Sequence, residues 1–175
     1  MSEPMFVPVV LPDDLDELVA FLCSEPWPFH GTVQLSPDAV ATVSFVDDAT
    51  ESHWVAVDDR RVGLIRLFDL DDIPEGAPLF DVRIAGARSS QGLGTEAVRW
   101  STDHLFSSFP ELHRIEATTR DDNLAMQRVL DRAGYTLEGR LRESWPSSTG
   151  RRHDTLLYGV LRTDPRTIRH TNRRR

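Results

Sequence analysis

The chain has 175 residues, 39% of them hydrophobic, and a formal net charge of −8. That length suits one domain with a core of useful size. The acidic balance argues against nonspecific nucleic-acid binding, and no apolar run nears the ~18 residues of a membrane span. A single cysteine, Cys23, excludes an internal disulfide and reads as a small buried hydrophobe. The start Met1-Ser2-Glu3-Pro4 lacks the basic and apolar segments of a secretory signal, so a cytoplasmic location is expected. All twenty basic residues are arginine. Coding bias accounts for that, as does an enzyme that avoids modifying its own lysines.

Phe6 to Leu11 reads as a first strand. Asp13 and Asp14 open a helix in which Leu15, Leu18, Val19 and Leu22 recur at helical spacing. The aromatic segment Trp27-Pro28-Phe29-His30 lies in a loop. Ser36-Pro37 starts a second helix reaching about Phe45, with proline in the first turn where its missing N–H is harmless. His53 to Asp58 and Arg61 to Asp69 read as strands joined by a tight turn. Leu79 to Ala85 is a further strand, and a helix follows from Gly92 to Ser108. A strand over His113 to Thr119 and a helix over Asn123 to Ala133 come next, with Gly134 as left-handed cap. Tyr135 to Trp145 and Arg152 to Leu161 are closing strands. Residues 1–163 are expected to form a single domain, and 164–175 a flexible basic tail.

The segment Gln91-Gly92-Leu93-Gly94-Thr95-Glu96 carries the most chemistry. It joins a strand to a helix, where glycines let backbone N–H groups approach an anion closely. The helix start adds partial positive charge and unpaired donors. A diphosphate fits this turn. Gly92-x-Gly94-x-x-Ala97 loosely matches a dinucleotide fingerprint, with Glu116 near the distance of a ribose-binding acid. A coenzyme A loop is the other reading. The chain after the loop is too short for the second half of a dinucleotide fold, which favours coenzyme A.

Several motifs in order, Gly92-x-Gly94-Thr95-Glu96-Ala97, Glu116-Ala117, Asn123 with Ala125 and Val129-Leu130, Gly134-Tyr135, Glu138-Gly139-Arg140, and Asp154 with Tyr158, resemble the GNAT superfamily of acetyl-CoA-dependent N-acetyltransferases. The likeness covers about Leu79 to Leu161 and is nearest the RimJ/RimL branch, whose members acetylate ribosomal-protein N-termini. The resemblance implies an α/β (α+β) fold, a mixed central sheet of about six to seven strands flanked by about four helices. It implies acetyl-CoA as co-substrate and a primary amine, on a peptide N-terminus or a small molecule, as acceptor. A homodimer is implied in the same way.

The resemblance also implies site residues. Val82 and Ile84 on the strand, Ser89, Ser90, Gln91, Gly92, Leu93, Gly94 and Thr95 in the loop, and Asn123 and Arg128 beyond it are expected to hold the coenzyme. The family places glutamine or arginine where this chain has Ser89, with Arg88 one residue earlier. Direct attack by an amine needs a base, because an ammonium with a pKa of about 10.4 is mostly protonated at neutral pH. Glu116 and Asp81 are the candidate bases. Asn123 doubles as a candidate helix cap, and Tyr158 stands in as acid because Leu130 occupies the family's tyrosine position. A backbone N–H between Val82 and Ala85 is expected to hold the oxyanion. Trp27, Phe29, His30, Trp54 and Trp145, with His153, are expected around the acceptor. The histidines show no metal-ligand spacing, so no metal is expected. A non-catalytic acyl-CoA-binding module, ribosome-associated through Arg166, Arg169, His170 and Arg173 to Arg175, is the alternative function.

Overall fold

The computed structural model describes residues 2–73, 76–147 and 150–165. Among them the elements run β1 (Met5–Pro8), α1 (Leu15–Cys23), α2 (Pro37–Ala41), β2 (Glu51–Val57), β3 (Arg60–Phe68) and β4 (Leu79–Ile84). Then follow α3 (Leu93–Ser108), β5 (Arg114–Arg120), α4 (Leu124–Ala133), β6 (Thr136–Pro146) and β7 (Arg152–Leu161). The α+β class and the element order agree with expectation. From residue 166 onward the expected tail lies outside the described residues.

Local chemistry sets most boundaries. Ser36 caps α2 by accepting from the Ala39 N–H at 3.2 Å, and Pro37 sits in its first turn. α2 ends at Ala41, short of the expected Phe45: Thr42 and Val43 donate to Ala39 and Val40 in a tightened last turn. The β2–β3 hairpin turns at Asp58 and Asp59, both at positive φ (51° and 60°), one residue earlier than expected. Asn123 caps α4 through its Oδ1, and Gly134 ends it at φ 93°.

The strands form two antiparallel sheets, β1-β2-β3-β4 and β5-β7-β6. No ladder joins β4 to β5 among the described residues, so the single mixed sheet expected is open along that seam. Hydrogen-bond alternation shows what faces the opening. Ala85 N–H donates to Val62 on β3 at 2.9 Å, so by period-two alternation the backbone groups of Val82 and Ile84 face the open side. On β5, Asp121 N–H donates to Asp154 at 3.0 Å, and the groups of Glu116, Thr118 and Arg120 face the seam by the same rule.

Two cores flank the first sheet. α1 and α2 cover one face, burying Leu18, Leu22, Val40, Trp54 and Leu64. α3 and α4 cover the other face with Val55, Ile65, Ala97, Leu105, Leu130 and Tyr158. β2 is buried on both faces, which is why its sequence shows little alternation. Gly94 lets the helices of the larger core meet, since a Cβ there would stand 3.3 Å from Val129 Cγ2.

Candidate functional site

The seam between β4 and β5 and the start of α3 form one continuous feature. The first bond into α3 runs from Glu96 N–H to Gly92 O at 3.1 Å. The N–H groups of Leu93, Gly94 and Thr95 precede it and have no intrahelical acceptor. Gly92 has φ 82° with nothing within 4 Å of where a Cβ would stand. Its backbone is therefore left-handed and open to solvent, as an anion seat requires. Ser90 also takes a positive φ of 63°, and Ser89 and Ser90 are exposed. Thr95 is buried in the first turn of α3. Arg128 is exposed on α4. Arg88 reaches Gln91 Oε1 at 3.4 Å inside the loop.

The α1–α2 loop closes over the seam from the opposite face. Glu25 accepts from the Gly86 N–H at 2.9 and 3.0 Å, tying the loop to the segment that leads into α3. His30 Nδ1 lies 3.1 Å from Asp81 Oδ1 on β4. Arg120 on β5 donates to Pro28 O at 3.0 Å and packs 5.2 Å from the Phe29 ring. One loop thus contacts both strands of the open seam.

Charges on this face are tightly organised. Burial alone would raise the Asp81 carboxyl, but hydrogen bonding and charge from His30, with Arg83 behind them, hold it at about 2. The Arg83 guanidinium donates to Asp81 Oδ2 at 3.1 Å and lies over Trp27. Glu116 accepts from Arg114 Nε at 2.8 Å, and Arg114 also grips Glu138 at 2.5 Å. Beyond Arg120, His153 Nδ1 stands 3.5 Å from both Asp121 and Asp122. Trp145 is its cross-strand neighbour on β6.

The expected residues divide accordingly. Val82, Ile84, Gly92 to Thr95, Asn123, Asp81, Glu116, Phe29 and His30 surround the seam or its mouth. Three expectations are corrected. Trp54 is completely buried beneath α1, donating from Nε1 to Asp14 Oδ2 at 3.2 Å, so it is core. Trp27 is also buried, its Nε1 donating to Leu22 O at 2.9 Å, and it supports the loop from below. Tyr158 is 3% exposed in the larger core, and burial pushes its phenol up. A phenol packed there is a structural residue rather than an acid at the seam. Glu25, Arg120, Asp121 and Asp122 did not stand out in the sequence. The charge-dense run Arg120-Asp121-Asp122 just before the Asn123 cap was the available signal.

The acetyltransferase (GNAT) domain family matches residues 5–136, and the chain belongs to that family. The Bacillus subtilis (strain 168) protein named probable N-acetyltransferase YjcK is 35% identical over 91 residues. That stretch is 52% of this chain, and the chain spans about half (50%) of the length of this curated relative. Spermidine N-acetyltransferase from Vibrio cholerae, solved with CoA and spermine, superposes with TM-score 0.74 at 18% identity, covering 92% of this chain and 96% of that one. RimL, a ribosomal L7/L12 α-N-protein acetyltransferase solved with coenzyme A, gives 0.73 at 15% identity over 92% and 95%. Mycobacterium smegmatis RimJ gives 0.70 at 19% over 91% and 86%. These three are likenesses of fold. No helix among the described residues is long and apolar enough to cross a membrane.

Proposed function

We propose that the protein transfers the acetyl group of acetyl-CoA to a primary amine, on a peptide N-terminus or a small molecule, by direct attack on the thioester. The observation that carries this reading is the open β4/β5 seam leading to the left-handed Gly92 and the uncapped start of α3. The diphosphate sits on the N–H groups from Gln91 to Thr95, with Ser89 and Ser90 at its edge and Arg128 toward the phosphate end. The pantetheine arm runs along the outward backbone groups of Val82 and Ile84, beside the Asn123 amide. One N–H of that strand stabilises the oxyanion.

The amine enters beneath the Phe29-His30 loop, with Trp145 and His153 on the far side. A carboxyl held at about 2 is a weak proton acceptor. Asp81 serves instead as the anchor of His30 Nδ1, which leaves Nε2 free to take the ammonium proton. Glu116 is the second candidate base, engaged by Arg114 in the free protein. With Tyr158 assigned to packing, the coenzyme leaves as the thiolate anion and takes its proton from solvent.

The test is release of free coenzyme A thiol across peptide N-termini, polyamines and aminoglycosides. With the best acceptor, His30→Gln is expected to lower kcat by ~10²-fold or more with little change in acetyl-CoA affinity. A full rate in His30→Gln together with loss of rate in Glu116→Gln moves the base to Glu116. No thiol release with any amine rejects the proposal.

A further inference from the structure

We propose that Glu51, His53 and His104 form a divalent-metal site of zinc type, separate from the coenzyme seam. Glu51 and His53 are two apart on β2 and so project onto the same face, the face α3 covers. His104 comes down from α3, about 18 Å along the helix from Gly92 at 1.5 Å per residue. One ligand atom from each of the three lies within 4.8 Å of the others. His104 Nε2 already meets Glu51 Oε1 at 2.5 Å.

His53 makes this more than a surface ion pair. It is 6% exposed, and its Nδ1 has no hydrogen-bond partner among the described residues. A buried imidazole with an orphaned nitrogen, standing next to a carboxylate and a second imidazole, is a side chain that a cation can satisfy. Trp100 fixes the rings: it stacks on His104 at 4.8 Å and meets His53 edge-on at 4.6 Å. Phe6 closes the far side of Trp100 at 4.7 Å. The Glu51 and His104 side chains keep 34% and 27% exposure, which leaves an entry path and room for a water ligand.

Two imidazoles and one carboxylate, with water in the fourth position, are a zinc donor set. Bonds of ~2.0–2.1 Å place tetrahedral ligand atoms ~3.3 Å apart, so the 2.5 Å contact between His104 and Glu51 opens by about 1 Å and separations of up to 4.8 Å close by at most about 1.5 Å to take the ion. Bound there, the ion clamps α3 to β2 and stabilises the folded chain through linkage. The cluster of Asp121, Asp122 and His153 is a useful contrast. Arg120 and Arg140 already engage its carboxylates, and their charge opposes a cation.

Co²⁺ is the probe, titrated into the tag-free full chain, with Zn²⁺ as competitor. The expected result is one equivalent of Co²⁺ giving strong tetrahedral visible bands that Zn²⁺ abolishes. Zn²⁺ at a hundredfold excess over its Kd raises Tm by roughly 5–10 °C. Glu51→Gln and His104→Ala weaken binding at least tenfold, while His153→Ala leaves it unchanged. Glu51→Gln alters a half-exposed side chain and keeps the test readable if His104→Ala does not fold. Absence of tetrahedral bands, or bands that survive Glu51→Gln, overturns the proposal and leaves the cluster a hydrogen-bonded plug beneath α3.

Discussion

Asp81, the proposed anchor of His30, also contributes to stability. Its carboxyl falls from the ordinary 3.8 to about 2. A depressed folded-state pKa stabilises above the unfolded value, and the contribution fades as pH falls through the folded one. At ~1.4 kcal/mol per unit this amounts to about 2 kcal/mol. Urea titrations should therefore show stability falling between about pH 4 and pH 2, with a shallower fall in Asp81→Asn. Equal slopes in the two proteins would remove Asp81 from the account. Gly92 is the second decisive residue. Its φ of 82° disfavours any Cβ even though the space around it is open. Gly92→Ala should cost about 1–2 kcal/mol in unfolding experiments without changing the fold. The need for glycine here was legible in the sequence, because a strand-to-helix turn rich in glycine has few other physical uses. The identity of the core tryptophans was not. Trp27 sits in a loop and Trp54 in the middle of β2, and only three-dimensional packing shows that α1 covers both.

At the scale of elements, α3 bears the most weight. Its N-terminus has no side-chain cap, whereas its C-terminus is closed by a side chain far along the sequence. Arg162 donates from Nε to Leu112 O at 2.7 Å, from Nη1 to Phe106 O at 2.9 Å and from Nη2 to Phe109 O at 2.5 Å. A cation at this end also complements the helix dipole. Arg162→Ala leaves these carbonyls without their charged donor and should destabilise by about 2–3 kcal/mol. That corresponds to a fall in Tm of roughly 4–12 °C, read by calorimetry. A change below 1 °C would show that water replaces the guanidinium at no cost. Helix positions were readable from periodicity and caps: Ser36, Asn123 and Gly134 all act as their residue types suggest. The Arg162 clasp was not, because nothing local marks an arginine just past the closing strand as the cap of a helix fifty residues earlier.

Across the whole molecule, two antiparallel sheets meet without a ladder, and the α1–α2 loop spans the opening between them. The element order and the mid-chain glycine turn were visible in the sequence, and the family was anticipated from the resemblance of the motifs that run from Gly92 to Tyr158. The opening itself was not, since it is an absence of pairing between two strands that each read as ordinary. Nor was the loop's attachment, which rests on the long-range contacts of Glu25 with Gly86, His30 with Asp81 and Arg120 with Pro28. The central claim is that backbone amides at the start of α3 hold an acyl carrier whose thioester lies in that opening. Calorimetric titration of the pure protein and of Gly92→Glu with acetyl-CoA tests it most directly. The account predicts saturable heat at one equivalent for the parent and none for a folded Gly92→Glu. Equal binding by both proteins, or no heat from either, would contradict it.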